Sequence, residues 1–202
     1  MIEKIGVIYQ DRSSLGFLRG LCDRLKCKAE LIDPPAAIGK PRLLPRRCTR
    51  LAWLYFQKRG VDLVVRFTDA DAGRWQETRR EELNRVPEAA ESIWICGVAA
   101  NNPEDWLCLD LDYLAGVLGF SPQDLVNPRN RIGQIKRALV RLRRHEEGES
   151  DVVERLVQGV PGEIFRRWLR DEALKTFYTD CRAAATRANC KTPNELGRVR
   201  NG

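Results

Sequence analysis

Val64-Val65-Arg66-Phe67-Thr68-Asp69-Ala70-Asp71 is an apolar run that ends in two carboxylates. It reads as a buried strand, and in a strand residues i and i+2 project from the same side. Asp69 and Asp71 then stand together at the strand's exit, the end of an open α/β sheet where ligands bind. Two acids held that close repel unless a positive group lies between them. A hard cation such as Mg²⁺ (or Mn²⁺) suits the position, because it takes oxygen ligands and needs only one or two protein carboxylates. The same two acids also suit a turn or a helix cap.

Working outward, Ile5–Tyr9 forms a first apolar strand, followed by a helix with Leu18, Leu21 and Leu25 on one face and Ser14 as its N-cap. Ala29–Ile32 reads as a second strand, stopped by Asp33-Pro34-Pro35, and the proline-rich stretch to Pro45 as a loop. Thr49–Arg59 has helical spacing closed by Gly60, and Ala72–Val86 is helical and strongly charged. Ile93–Ala99 is another buried strand. After it, Asn102 as N-cap, Pro103 and two acids open a helix that carries Leu107, Leu111, Leu114 and Leu118 to Gly119. Strands alternating with helices predict an α/β fold with a largely parallel sheet flanked by helices over residues 1–125. Residues 126–202 read as a helical basic extension packed on it, with Ile132, Ile135, Leu139 and Leu142 on one face and Arg137, Arg141 and Arg144 on the other.

Composition narrows the function classes. No apolar run approaches the roughly 20 residues that span a bilayer, so no membrane partner is expected. Met1-Ile2-Glu3-Lys4 leads straight into a strand and does not read as a signal peptide. The seven cysteines contain no C-x-x-C pair and the sole histidine is His145, which argues against zinc. Their odd number fits reduced thiols, so a cytoplasmic location is expected.

The net charge of +7 is concentrated in two stretches without acids. One, 42–59, holds Arg46, Arg47 and Arg50; the other, 129–144, holds Arg137, Arg141 and Arg144. Such blocks are the footprint of a polyanion partner such as nucleic acid, whose binding would weaken steeply with salt, and they are equally the solvated face of a soluble helix. The acids Glu146, Glu147, Glu149, Asp151 and Glu154 follow at once and read as a cover for the basic helix.

The order strand, loop, helix and later strand ending in D-x-D resembles the TOPRIM domain, and three motifs carry a closer resemblance: Gln10-Asp11-Arg12-Ser13-Ser14-Leu15-Gly16-Phe17-Leu18, Asp69-Ala70-Asp71, and Glu104-Asp105-Trp106-Leu107. Over residues 5–135 the chain is similar to a group of bacterial TOPRIM-like proteins found near defence or mobile elements, and to nucleases of the overcoming-lysogenisation-defect type. The resemblance implies Mg²⁺-dependent phosphodiester hydrolysis, with Asp69 and Asp71 holding the ion. It also implies a place in anti-phage defence beside an ATPase or other protein partner. Where the family has a glutamate after the first strand, this chain has Gln10. Asp11 next door is the candidate substitute acid or base, and Glu104 the candidate third carboxylate; Arg66 or Arg74 would steady phosphate. If Asp11 does not substitute, the domain is a non-catalytic relative that binds a protein or nucleic acid. Asp110 and Asp112 share the D-x-D spacing but diverge by about 200° in a helix and are set aside. Trp106 reads as a packing anchor.

Overall fold

The computed structural model describes residues 2–35, 46–70, 73–142 and 148–187. Its centre is a parallel sheet of β1 (Lys4–Tyr9), β2 (Glu30–Ile32), β3 (Leu63–Asp69) and β4 (Trp94–Ala99), in the order β2-β1-β3-β4. Parallel strands need crossovers, and helices supply them. The helices are α1 (Arg12–Arg24), α2 (Arg46–Lys58) and α3 (Trp75–Leu83) between strands. A 3₁₀ turn, Glu88–Ile93, leads into β4. After it come α4 (Pro103–Leu107), α5 (Leu111–Leu118), α6 (Pro122–Val126), α7 (Pro128–Arg141), α8 (Glu149–Gly159), α9 (Gly162–Trp168) and α10 (Glu172–Arg187). The expected α/β class and parallel sheet are present. No described helix is long and apolar enough to cross a membrane.

Alternation along the strands sorts the core into two layers. Val65 and Phe67 of β3 face the larger one, where Phe67 stacks on Phe177 of α10 at 5.3 Å and on Trp106 of α4 at 5.2 Å. Trp106 is a packing anchor, as its apolar neighbours suggest. Val64 faces the smaller layer, with Ile8 of β1, Ala52, Trp53 and Phe56 of α2, and Trp94.

Helices beyond residue 126 belong to the larger layer. Val152, Val153, Leu156, Phe165, Leu174 and Phe177 share one buried cluster with Val7, Phe67 and Ile95, so the boundary expected near 125 passes through continuous core. α8 lies against α1 because Gly16 and Gly20 carry no Cβ: one at Gly20 would stand 2.6 Å from Cβ of Val157, and one at Gly16 would strike the Ser150 carbonyl. Arg24 seals the pair by donating to the Val160 carbonyl at 2.6 Å while its guanidinium lies 4.2 Å above the Phe165 ring.

Several local expectations need correction. Asp11, not Ser14, is the N-cap of α1: its Oδ1 accepts from the Ser14 amide and hydroxyl, each at 2.8 Å. The helix expected from Asn102 to Gly119 is two helices, because Asp110 caps a new start by accepting from the Tyr113 amide at 3.0 Å. Asp151 and Glu154 do not cover the basic helix; they pair with Arg19 of α1 at 3.3 and 3.6 Å. Glu146 and Glu147 lie outside the described residues. Cys22, Cys27, Cys96, Cys108 and Cys181 are not joined in disulfides, and burial pushes the thiols of Cys22 and Cys96 up to about 12.

Candidate functional site at the carboxyl end of the sheet

The chain leaves β1 towards β2 on one side and returns to β3 on the other, so the carboxyl ends of β1 and β3 flank the switch point of this doubly wound order, where such folds bind ligands. Gln10 stands there. Its Oε1 accepts from the Thr68 hydroxyl at 2.8 Å and from the Asp69 amide at 3.2 Å, pinning the two strand ends together. A glutamate oxygen could take the same two bonds, so the carboxamide makes them without adding a charge.

Asp69 ends β3 and is half-buried beside Gln10. Asp71 lies outside the described residues. The described residues on either side of 71 and 72 are held to the neighbouring strand end: the Ala70 amide donates to the Ala99 carbonyl at 2.9 Å and the Gly73 amide to the Ala100 carbonyl at 3.1 Å. Arg66, proposed above for phosphate, is instead buried in the opposite layer in an ion pair with Glu82, which also binds Arg85 at 2.5 Å. Arg74 is exposed, 3.8 Å from Glu77.

The remaining predicted acids are engaged. Asp11 serves the N-cap of α1. Glu104 begins α4 but turns inward, with only 1% of its side chain exposed. Its Oε1 lies 3.2 Å from Lys136 Nζ of α7 and 3.2 Å from the Ser13 hydroxyl, which is itself 2.7 Å from Glu149 of α8. A hydroxyl has one proton to donate. The shorter contact assigns it to Glu149, leaving Lys136 as the group that neutralises Glu104. Burial alone would lower the Lys136 ammonium's pKa; the charge and hydrogen bond of Glu104, with Asp11 and Glu149 adding to them, hold it above its ordinary value. A half-exposed ammonium therefore reaches in from solvent to neutralise a buried carboxylate.

No local pattern announces this network: Lys136 falls in the acid-free stretch 129–144, Ser13 in the first turn of α1 and Glu149 in the acidic run that follows the basic helix. The available signal was register: Lys136 falls four residues after Ile132 and three before Leu139, on the border of the apolar stripe.

The basic stretches open towards the same end. Phe56 of α2 rests on Gly6, and the Arg59 carbonyl accepts from Lys4 Nζ at 3.2 Å at the start of β1. α2 thus runs antiparallel to the strands, and its first turns, with Arg46, Arg47 and exposed Arg50, point to the carboxyl end. α7 is tied to that end by Lys136, with Arg137 and Arg141 exposed. Arg144 lies outside the described residues.

Among the described residues no group of three or more His, Cys, Asp or Glu is arranged to hold a metal ion. Asp69 offers hard oxygen donors of the kind that Mg²⁺ or Mn²⁺ takes. Asp11 and Glu104 are committed elsewhere, so the described carboxylates do not fit a second ion. No protein-family model matches this chain, and neither a curated protein nor a solved structure matches it.

Proposed function

We propose that this chain is a TOPRIM-like protein that binds nucleic acid across the carboxyl end of its sheet and hydrolyses phosphodiester bonds with one Mg²⁺ (or Mn²⁺) at Asp69 and Asp71. The observation that carries the reading is convergence: Asp69 at the switch point, the amino-terminal turns of α2 and the tether of α7 all lie at one end of the sheet. When bound, the ion would polarise a phosphoryl oxygen and lower the pKa of a coordinated water. Gln10 holds the Asp69 backbone in place, and exposed Arg50, Arg137 and Arg141 supply charge for the nucleic-acid backbone. A cytoplasmic role in anti-phage defence beside an ATPase or other protein partner rests on the family resemblance alone.

A second reading has its own support. Gln10 is neutral, Asp11 is a cap and Glu104 is paired with Lys136, an arrangement that suits a module which binds nucleic acid or a protein without catalysis. Calorimetric titration of Mg²⁺ and Mn²⁺ separates the two. Binding by the wild type that vanishes in Asp69→Ala/Asp71→Ala, together with loss of cleavage and an unchanged melting temperature, is the expected result. A folded wild type that binds neither ion leaves the non-catalytic reading.

A further inference from the structure

Beyond the edge of β4, α3 and α10 approach each other from opposite faces of the sheet and are joined by Arg79 and Asp180 at 2.9 Å. Above that pair is an open groove of about 390 Å³, lined by Trp75 and Gln76 of α3 and by Glu172, Lys175, Thr176 and Thr179 of α10. Its size falls within the ~300–1,000 Å³ of small-ligand pockets. Phe177 lies against Gly97 in the middle of β4, while Ala184 and Arg187 lie beside Ile2 and Ile93 at the amino end of the sheet. The Glu172 end of α10 therefore lies at the carboxyl end, as does Trp75, which begins α3 directly after the Gly73 turn.

Two properties define what the groove takes. Trp75 is anchored, packing against Ala70, Cys96 and Val98 beside Asp69, so the ring surface it lends to the groove is held in place. The charges cancel: Arg79 meets Asp180, and Lys175 and Glu172 are of opposite sign. Such a lining does not attract phosphate. An aromatic surface, an amide and two hydroxyls in a neutral groove suit a planar, uncharged, hydrogen-bonding group. A nucleobase has that chemistry, and in duplexes it is held in the stack.

We propose that this groove receives an unpaired base stacked on Trp75, so that the substrate class of the site at Asp69 and Asp71 is single-stranded nucleic acid. The proposal rests on the nucleic-acid reading above and specifies it. The test is fluorescence anisotropy in EDTA with fluorescein-labelled oligodeoxythymidylate, oligouridylate and a DNA duplex of equal length. The wild type should bind a single strand more tightly than the duplex, the two single strands showing whether DNA or RNA is preferred. Trp75→Ala should weaken single-strand binding roughly tenfold or more and leave duplex binding unchanged, while Trp75→Phe retains most of the affinity. Thr179→Trp, which fills the groove from its exposed wall, should produce the same loss without touching the core, and it decides the matter if Trp75→Ala does not fold.

Equal affinity for duplex and single strands overturns the proposal, as does unchanged single-strand binding in Thr179→Trp or in folded Trp75→Ala. In either case, cation binding that still depends on Asp69 and Asp71 leaves the hydrolytic reading standing. A wild type that binds no nucleic acid overturns both.

Discussion

Each of the two layers flanking the sheet buries a glutamate, and the two are neutralised in different ways. Glu82 of α3 pairs with Arg66, and both side chains are 8% exposed. Glu104 of α4 pairs with Lys136, whose side chain is 51% exposed. In the first pair both charges are sealed under α3; in the second only the acid is, while its partner is a flexible stem reaching in from solvent. The difference teaches which partner can escape. A guanidinium rooted in the central strand cannot leave its pocket, whereas a lysine on an outer helix can turn back to water.

The largest expected effect breaks the sealed pair. Glu82→Gln leaves the Arg66 guanidinium buried without its counter-ion and should cost ~3–5 kcal/mol in urea unfolding. Arg66→Met/Glu82→Leu should recover most of that loss, since well-packed apolar residues replace such pairs at little or no cost. Lys136→Met comes next, because it strands the Glu104 carboxylate where water reaches it poorly; about 1–3 kcal/mol is expected. Glu104→Gln should cost less than Lys136→Met, roughly 1 kcal/mol, since the freed ammonium rehydrates. If Glu104→Gln proves as damaging as Glu82→Gln, the contrast between the pairs is wrong.

The smallest effect is a matter of pH. The folded state holds the Lys136 proton more tightly than the unfolded chain does, so its stabilisation is fully present below the ordinary lysine value of 10.5 and is lost as pH rises through the raised one. Comparing wild type with Lys136→Met across that window should show a difference in stability that shrinks above pH 10.5. A constant difference would remove charge as the reason Lys136 matters.

How far the site could be read from the chain depended on whether its residues were near one another in sequence. Val64 to Asp69 announced a strand and its exit because a strand's periodicity is local. Gln10 is visible in the sequence as a neutral residue just past the first strand, but its bonds to Thr68 and Asp69 cross fifty-eight and fifty-nine residues of chain. The Ser13 hydroxyl, Lys136 and Glu149 were out of reach for the same reason: Ser13 meets Glu149 across 136 positions, and no local pattern encodes that contact. Arg66 misled because an arginine near a strand's exit looks available until the helix that covers it is known.

Local chemistry determined the alternation of strands and helices, the parallel sheet, the packing role of Trp106 and the placing of Asp69 at a strand's end, since apolar periodicity and capping act over a few residues. Tertiary structure alone decided that the helices beyond residue 126 complete the core and that α1 and α8 meet at Gly16 and Gly20. It also decided that Lys136 faces Glu104 and that Trp75 floors a groove with α10. Those outcomes depend on which helix covers which face of the sheet, a choice made by burying surface across the whole chain rather than by any stretch within it.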